Sequence, residues 1–199
     1  MARLLLQMMM SLDGMVSGPK GELDWTLPFV SDEKLLRDEL AVLKKSKMLL
    51  MGTGVIPEMS GYWKAAEHDE KAGPLTREFG REMNVASKVV YSHRKRAIDW
   101  RNAAVHVVEN DRAFVEDVRR LKQENEGTLV SYGGVRLARS LLKQGLIDEL
   151  RHAICPMVLG AGQPLFTDST HRIQLRLRES AIYEAGTAMV HYDVIQTTP

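Results

Sequence analysis

The chain has 199 residues, with 27 Lys and Arg against 26 Asp and Glu and a hydrophobic content of 44%. This length suits one domain over residues 1–199 with a full hydrophobic core, and the balanced charge argues against nucleic acid or a membrane surface as a partner. Cys155 is the only cysteine, so no intrachain disulfide can form, and a reducing cytoplasm is the expected location.

Strand and helix patterns alternate along the first three quarters of the chain. The apolar run that ends at Met10 predicts a buried first strand, and Ser31 or Asp32 can cap the helix that follows. Further strands are predicted at residues 47–51, 88–92, 104–108, 129–132 and 149–159, and the last ones near 173–177 and 188–195.

This alternation predicts an α/β fold of three layers, with helices on both faces of a mostly parallel central sheet. The short connection around residues 184–187 indicates antiparallel pairing of the C-terminal strands. Ligands of such sheets bind at the carboxyl ends of the strands. Four glycine-rich or polar loops are predicted at those ends, at residues 52–54, 92–94, 133–134 and 160–162.

Residues 128–145 give the most informative local pattern. A short apolar strand ends at Tyr132, Gly133-Gly134 interrupts it, and a helix runs on to Gly145. Free backbone N–H groups and the positive end of the helix dipole make such a turn suitable for a phosphate, which can approach a backbone without side chains. The alternative is that the two glycines only allow a tight turn.

Several segments match a known family over nearly the whole chain. They are residues 10–14 (Met-Ser-Leu-Asp-Gly), 50–52, 88–92, 132–134, 145–150 and 156–166. On these motifs the chain resembles the dihydrofolate-reductase-like superfamily, specifically the group related to the C-terminal reductase domain of the bifunctional riboflavin-biosynthesis deaminase/reductase. The resemblance implies an NADPH-dependent reductase that is often a homodimer. The residues that we expect to bind the cofactor are Gly52, Thr53, Ser92, Arg94, Tyr132, Gly133, Gly134, Val135 and Gly160.

One departure concerns the cofactor side. Members of the family commonly carry Gly-Arg-x-Thr after the second strand, whereas Thr53 here takes the arginine position. Arg94, or its neighbours Lys95 and Arg96, is the candidate partner for a ribose 2′-phosphate, because an arginine fork suits a phosphate. The alternative is a solvated basic loop.

The substrate side lacks an obvious acid. Residues 25–28 (Trp-Thr-Leu-Pro) resemble a dihydrofolate reductase motif in which a carboxylate follows two residues later, but that position is Val30. Slow turnover of dihydrofolate is therefore expected. Asp13, Trp25 and Asp32 are the candidates for the catalytic side, although Asp32 also suits a helix cap and Asp13 a turn.

The expected reaction is hydride transfer from NADPH to a small heteroaromatic, carbonyl or imine substrate, such as a pterin or a 5-amino-6-(5-phosphoribosylamino)uracil-like compound. The alternative is a non-catalytic nucleotide-binding or sensor protein on the same fold. His68 and Glu70 resemble a zinc-deaminase motif, but no Pro-Cys-x-x-Cys follows, and no metal site is expected. Apolar Ile182, Val190 and Val194 near the C-terminus favour a homodimer.

Overall fold

The computed structural model describes residues 1–167 and 172–195. Its strands are β1 (Arg3–Ser11), β2 (Met15–Ser17), β3 (Ser46–Gly52), β4 (Lys88–Ser92), β5 (Ala103–Val107), β6 (Thr128–Tyr132), β7 (Glu149–Cys155), β8 (Gln163–Pro164), β9 (Gln174–Ile182) and β10 (Ala188–Ile195). Its helices are α1 (Leu27–Val30), α2 (Glu33–Lys45), α3 (Ile56–His68), α4 (Pro74–Val85), α5 (Asp111–Glu124) and α6 (Val135–Lys143).

The central sheet has eight strands in the order β5-β4-β3-β6-β1-β7-β10-β9. The pairs from β5 through to β7 are parallel, whereas β10 is antiparallel to both β7 and β9. The predicted mostly parallel sheet with antiparallel C-terminal strands is confirmed. Strand β7 is shorter than predicted and ends at Cys155, because Pro156 follows and cannot donate to a sheet.

Helices cover both faces of this sheet, as predicted. Leu4 and Leu6 of β1 pack with α5 and α6 on one face, and Leu5 packs with α2, α3 and α4 on the other. Alternate side chains of a strand point to opposite faces, which explains this division. Gln7 follows Leu5 on the α2 face, so a buried polar side chain lies where the pattern would place another apolar one.

Local signals define the boundaries of α2. Asp32 is its N-cap, and one carboxylate oxygen accepts hydrogen bonds from the amides of Lys34 and Leu35 at 3.0 and 3.1 Å. Lys44 and Lys45 occupy the last turn, where cations complement the helix dipole. In the part of the chain that the structure describes, no helix is both long and apolar enough to cross a membrane.

Candidate active site

A cleft of about 1170 Å³ crosses the carboxyl edge of the sheet. The last residues of three strands line it, namely Gly52 of β3, Ser92 of β4 and Tyr132 of β6. It continues over β1, where Gln7 pairs with Tyr132 across the parallel ladder, and reaches Ala153 of β7. The cleft therefore lies at the edge of the sheet where ligands of α/β proteins bind.

Gly133 and Gly134 line the cleft, and their backbone conformations disfavour any residue that carries a side chain. Gly133 and Gly134 have φ angles of +79° and +93°. A Cβ on Gly134 would lie 3.1 Å from the amide nitrogen of Gly52, and one on Gly133 would lie 3.2 Å from side-chain atoms of Met59 and Val55. The missing side chains thus let the ends of β3 and β6 approach each other closely.

Helix α6 begins at this diglycine and directs its N-terminus to the cleft. Its N-cap is Gly134, and no side chain caps the first turn. The first backbone N–H groups are consequently available to an anion, and the helix dipole favours one there. Arg136 belongs to that first turn and lines the cleft beside Gly54. Arg94 and Arg96, after β4, also line the cleft.

The structure brings together most of the residues predicted for cofactor binding. Those that line the cleft are Gly52, Thr53, Ser92, Arg94, Tyr132, Gly133, Gly134 and Val135. Gly160 lies outside the lining, and its amide donates to the Asp13 carboxylate over 2.8 Å. Arg136 was not predicted, although its place in the first turn of the helix after the diglycine could have indicated it.

Asp13, expected to face a substrate, lies outside the cleft lining. Its carboxylate accepts hydrogen bonds from the Ser11 hydroxyl at 2.6 Å, the Leu159 amide at 3.1 Å and the Gly160 amide at 2.8 Å. These bonds, led by that of Ser11, lower the pKa of Asp13 to about 2. The side chain thus ties the turn after β1 to the loop after β7.

Asp32 and Trp25, the other two predicted catalytic residues, are also absent from the lining. Besides capping α2, Asp32 accepts a hydrogen bond from the amide of Ala185 at 3.0 Å. Trp25 is buried beside Phe29 and Cys155. Both residues hold the α1 region against the end of the sheet. Val30 does line the cleft, where its aliphatic side chain offers no hydrogen bond.

A polar cluster of Gln7, Glu39 and Arg151 lies at the β1 end of the cleft, where Gln7 and Glu39 line it. The Arg151 guanidinium and the Gln7 amide each donate to a different oxygen of the Glu39 carboxylate. Arg151 also donates to the Gln7 carbonyl oxygen at 3.1 Å. Burial raises the pKa of the Glu39 carboxyl, although the Arg151 charge acts in the opposite direction.

Sequence reasoning did not identify this cluster. The available signal was a polar residue inside each of two buried strands, Gln7 in β1 and Arg151 in β7. Tyr132 belongs to the same surroundings, and burial raises the pKa of its hydroxyl above the ordinary range. Buried polar groups need partners, so these positions could have predicted a third polar residue facing them.

A family model described as RibD C-terminal domain matches residues 2–190. The chain therefore belongs to the RibD C-terminal domain family. It is 29% identical over 192 residues to the uncharacterized protein YyaP of Bacillus subtilis (strain 168). The aligned residues cover 96% of this chain and 94% of that protein. A second uncharacterized protein of the same organism, YwjB, is 36% identical over 84 residues, 42% of this chain and 46% of that protein.

Solved structures support the fold. A putative riboflavin biosynthesis protein from Shewanella sp. PV-4 has a TM-score of 0.70 and 20% identity, covering 98% of this chain and 100% of that one. Dihydrofolate reductase from Enterococcus faecalis, complexed with NADP(H), has a TM-score of 0.61 and 14% identity, covering 98% of this chain and 97% of that one. These likenesses establish the dihydrofolate-reductase-like fold.

Proposed function

We propose that this protein is an NADPH-dependent reductase of a small heteroaromatic, carbonyl or imine compound. The observation that carries the proposal is the site around Gly134, where a side-chain-free turn, an uncapped helix N-terminus and three arginines border one cleft. Such a site suits a pyrophosphate. Family membership and the NADP(H) complex of the Enterococcus faecalis dihydrofolate reductase support the same assignment.

Different residues around the cleft would bind the two ligands, NADPH and the substrate. The amides of α6 and Arg136 would hold the pyrophosphate, and Ser92 with Arg94 would hold the adenosine end. When bound, NADPH would supply the hydride that reduces a C=N or C=O bond. The chain itself would orient the two ligands in a partly dry cleft, which is the main contribution of a protein to cofactor chemistry.

The direct test is NADPH oxidation by the purified protein with a panel of pterins, ribosylaminopyrimidines and quinones. We expect turnover with at least one acceptor and no turnover without one. A non-catalytic nucleotide-binding or sensor protein on the same fold would bind NADPH and leave it unoxidised with every acceptor. That result would reject the assignment as a reductase and would retain the assignment of the cleft as a nucleotide-binding site.

Cofactor selectivity gives a first prediction. Arg94 lines the cleft after β4, and we expect it to pair with the 2′-phosphate that NADPH carries and NADH lacks. Arg94→Ala should weaken NADPH binding by about 1.5–3 kcal/mol, the usual worth of a hydrogen bond to a charged group, and leave NADH binding unchanged. Tryptophan fluorescence titrations measure both. Lys95→Ala is the matched control, because Lys95 belongs to the same loop but does not line the cleft. Equal affinities of the wild type for the two cofactors would contradict the assignment.

Assembly gives a second prediction. Strand β9 ends the sheet order, and Leu175, Leu177 and Ile182 are exposed on it at 37%, 54% and 69%. An open edge with exposed apolar side chains favours association. We expect light scattering at micromolar concentration to give twice the 22.4 kDa mass of one chain. Leu177→Lys should shift the mass toward the monomer, and a monomeric wild type would contradict the homodimer.

A further inference from the structure

The turn between β9 and β10, residues 183–187, packs against the beginning of α2. Two hydrogen bonds cross from this turn to the helix. The amide of Ala185 donates to the Asp32 carboxylate at 3.0 Å, and the Tyr183 hydroxyl donates to the Asp38 carboxylate at 2.7 Å. Because Asp32 is the N-cap and Asp38 lies in the second turn of the helix, the β9–β10 turn holds the N-terminal half of α2 at two points.

The ring of Tyr183 lies behind one wall of the cleft. It is 4% exposed and belongs to a small core cluster with Leu35, Ala153 and Met189, against which Met9 packs. Three members of this group line the cleft, namely Leu35 on α2, Met9 on β1 and Ala153 on β7. Tyr183 itself lies outside the lining. The cluster that contains its ring thus supports the wall at three residues, one from each element.

The two halves of α2 are held by different parts of the core. In the C-terminal half, Leu40 and Leu43 are buried in the cluster that also contains residues of α3 and α4. In the N-terminal half the buried apolar residue is Leu35, which packs in the cluster of Tyr183. Helices in proteins are stabilised mainly by such packing. Loss of the Tyr183 side chain should therefore loosen the N-terminal half of α2 and leave the C-terminal half in place.

The hydroxyl of Tyr183 is a fixed donor to α2. Burial raises the pKa of this hydroxyl above the ordinary range, and the hydrogen bond to Asp38 acts in the same direction. The hydroxyl consequently keeps its proton at neutral pH, and a hydrogen bond to an ionised carboxylate is stronger than one between neutral groups. The Lys34 ammonium lies 5.7 Å from the centroid of the ring, which is a further contact between Tyr183 and the helix.

We propose that Tyr183 is a positioning residue for the acceptor, because it holds the N-terminal half of α2 against β1 and β7 and so fixes the wall formed by Leu35, Met9 and Ala153. This inference rests on the proposed function for the statement that an acceptor binds against this wall. NADPH binding should not depend on Tyr183, since the diglycine and the arginines that would hold its phosphates belong to the segments after β4 and β6.

Variants separate the contribution of the hydroxyl from that of the ring. Tyr183→Phe removes only the hydroxyl, and Tyr183→Ala also removes the ring. Tyr192→Phe is the matched control, as a half-buried tyrosine of β10. Tyr192 pairs with Leu150, which packs in the core on the α5 and α6 face, so it points to the face opposite to Tyr183.

Calorimetric titration with 6-methyl-7,8-dihydropterin, without cofactor so that no turnover occurs, measures binding at this wall. We expect Tyr183→Phe to weaken binding of this probe about threefold to tenfold and Tyr183→Ala about tenfold or more. NADPH affinity in fluorescence titrations should stay within about threefold for both variants, and Tyr192→Phe should match the wild type with both ligands. Equal probe binding by the wild type and Tyr183→Phe, or no binding of the probe by the wild type, would overturn the proposal.

Hydrogen exchange distinguishes positioning from a general loss of stability. In Tyr183→Phe the amides of residues 35–39 should exchange faster than in the wild type, whereas those of α6 should be unchanged. Unchanged exchange at residues 35–39, or an equal increase along the whole chain, would contradict a positioning role. If Tyr183→Ala does not fold, Asp38→Ala replaces it and should reproduce the effect of Tyr183→Phe. The double variant should then bind the probe no more weakly than either single variant, and additive effects would overturn the proposal.

Failure of this proposal is distinguishable from failure of the proposed function. If NADPH is left unoxidised with every acceptor, the reductase is rejected, while the calorimetric comparison, which needs no turnover, still decides the role of Tyr183. If turnover occurs, we expect Tyr183→Phe to raise the KM for the acceptor and to leave kcat within about twofold of the wild type. Turnover with an unchanged KM would keep the reductase and overturn the role of Tyr183.

Discussion

Gly134→Ala is expected to weaken NADPH binding by about 100-fold or more, which corresponds to about 2.7 kcal/mol. The φ angle of Gly134 is +93°, a region that side-chain-bearing residues enter only with strain. The new methyl group would also lie 3.1 Å from the Gly52 amide nitrogen, so the ends of β3 and β6 would separate. Both effects displace the first N–H groups of α6 from the position where a pyrophosphate would bind.

Gly145→Ala is the matched control for this variant. Gly145 also has a positive φ, +62°, but a Cβ there would meet nothing within 4 Å, and the residue does not line the cleft. We expect the control to lower the free energy of unfolding and to leave NADPH binding unchanged in fluorescence titrations. An affinity of Gly134→Ala within about threefold of the wild type would show that the diglycine serves only the turn.

Acid lability is the second large effect. His152 is 4% exposed on β7, and burial lowers its pKa to about 4. Well above pH 6.5 the histidine is neutral in both the folded and the unfolded chain, and its protonation does not change the stability with pH. Between pH 6.5 and 4 the unfolded chain takes up the proton first. The free energy of unfolding should therefore fall by about 3 kcal/mol over that range, because each pKa unit corresponds to about 1.4 kcal/mol.

Urea denaturation at a series of pH values measures this loss. His152→Leu should remove it, so that the stability difference between variant and wild type changes in favour of the variant as the pH falls from 6.5 to 4. Asp13 and Glu149, whose pKa values are lowered from 3.8 and 4.5 to about 2, contribute stability that is lost mostly below pH 4, and the comparison between variant and wild type cancels it. His68→Gln, at an exposed position, should follow the wild type. A constant difference between His152→Leu and the wild type would contradict the assignment.

The glycine-lined part of the cleft was predictable because its determinants are local in sequence. A diglycine between a strand and a helix defines a backbone geometry, and the ends of parallel strands meet at one edge of the sheet. The exception is Gly160, which follows β7 but whose amide is held by Asp13. That contact joins positions 147 residues apart, and no local pattern indicates it.

The β1 end of the cleft was not predictable in the same way. The sequence predicts Asp13 and Asp32 as carboxylates beside the cleft. In the structure both carboxylates accept hydrogen bonds from backbone amides. Glu39 looks like an ordinary polar residue of an amphipathic helix. Its partners are Gln7, 32 residues earlier, and Arg151, 112 residues later, so only the tertiary fold shows that a carboxylate lies in the cleft.

A crystal structure of the protein with NADPH tests the central claim most directly. We predict that the pyrophosphate lies within hydrogen-bond distance of the first amides of α6, next to Gly134. The 2′-phosphate should lie beside Arg94, and the nicotinamide should point toward the end of the cleft that contains Glu39. NADPH bound with its pyrophosphate away from Gly134, or no NADPH in the cleft at saturating concentration, would contradict the assignment.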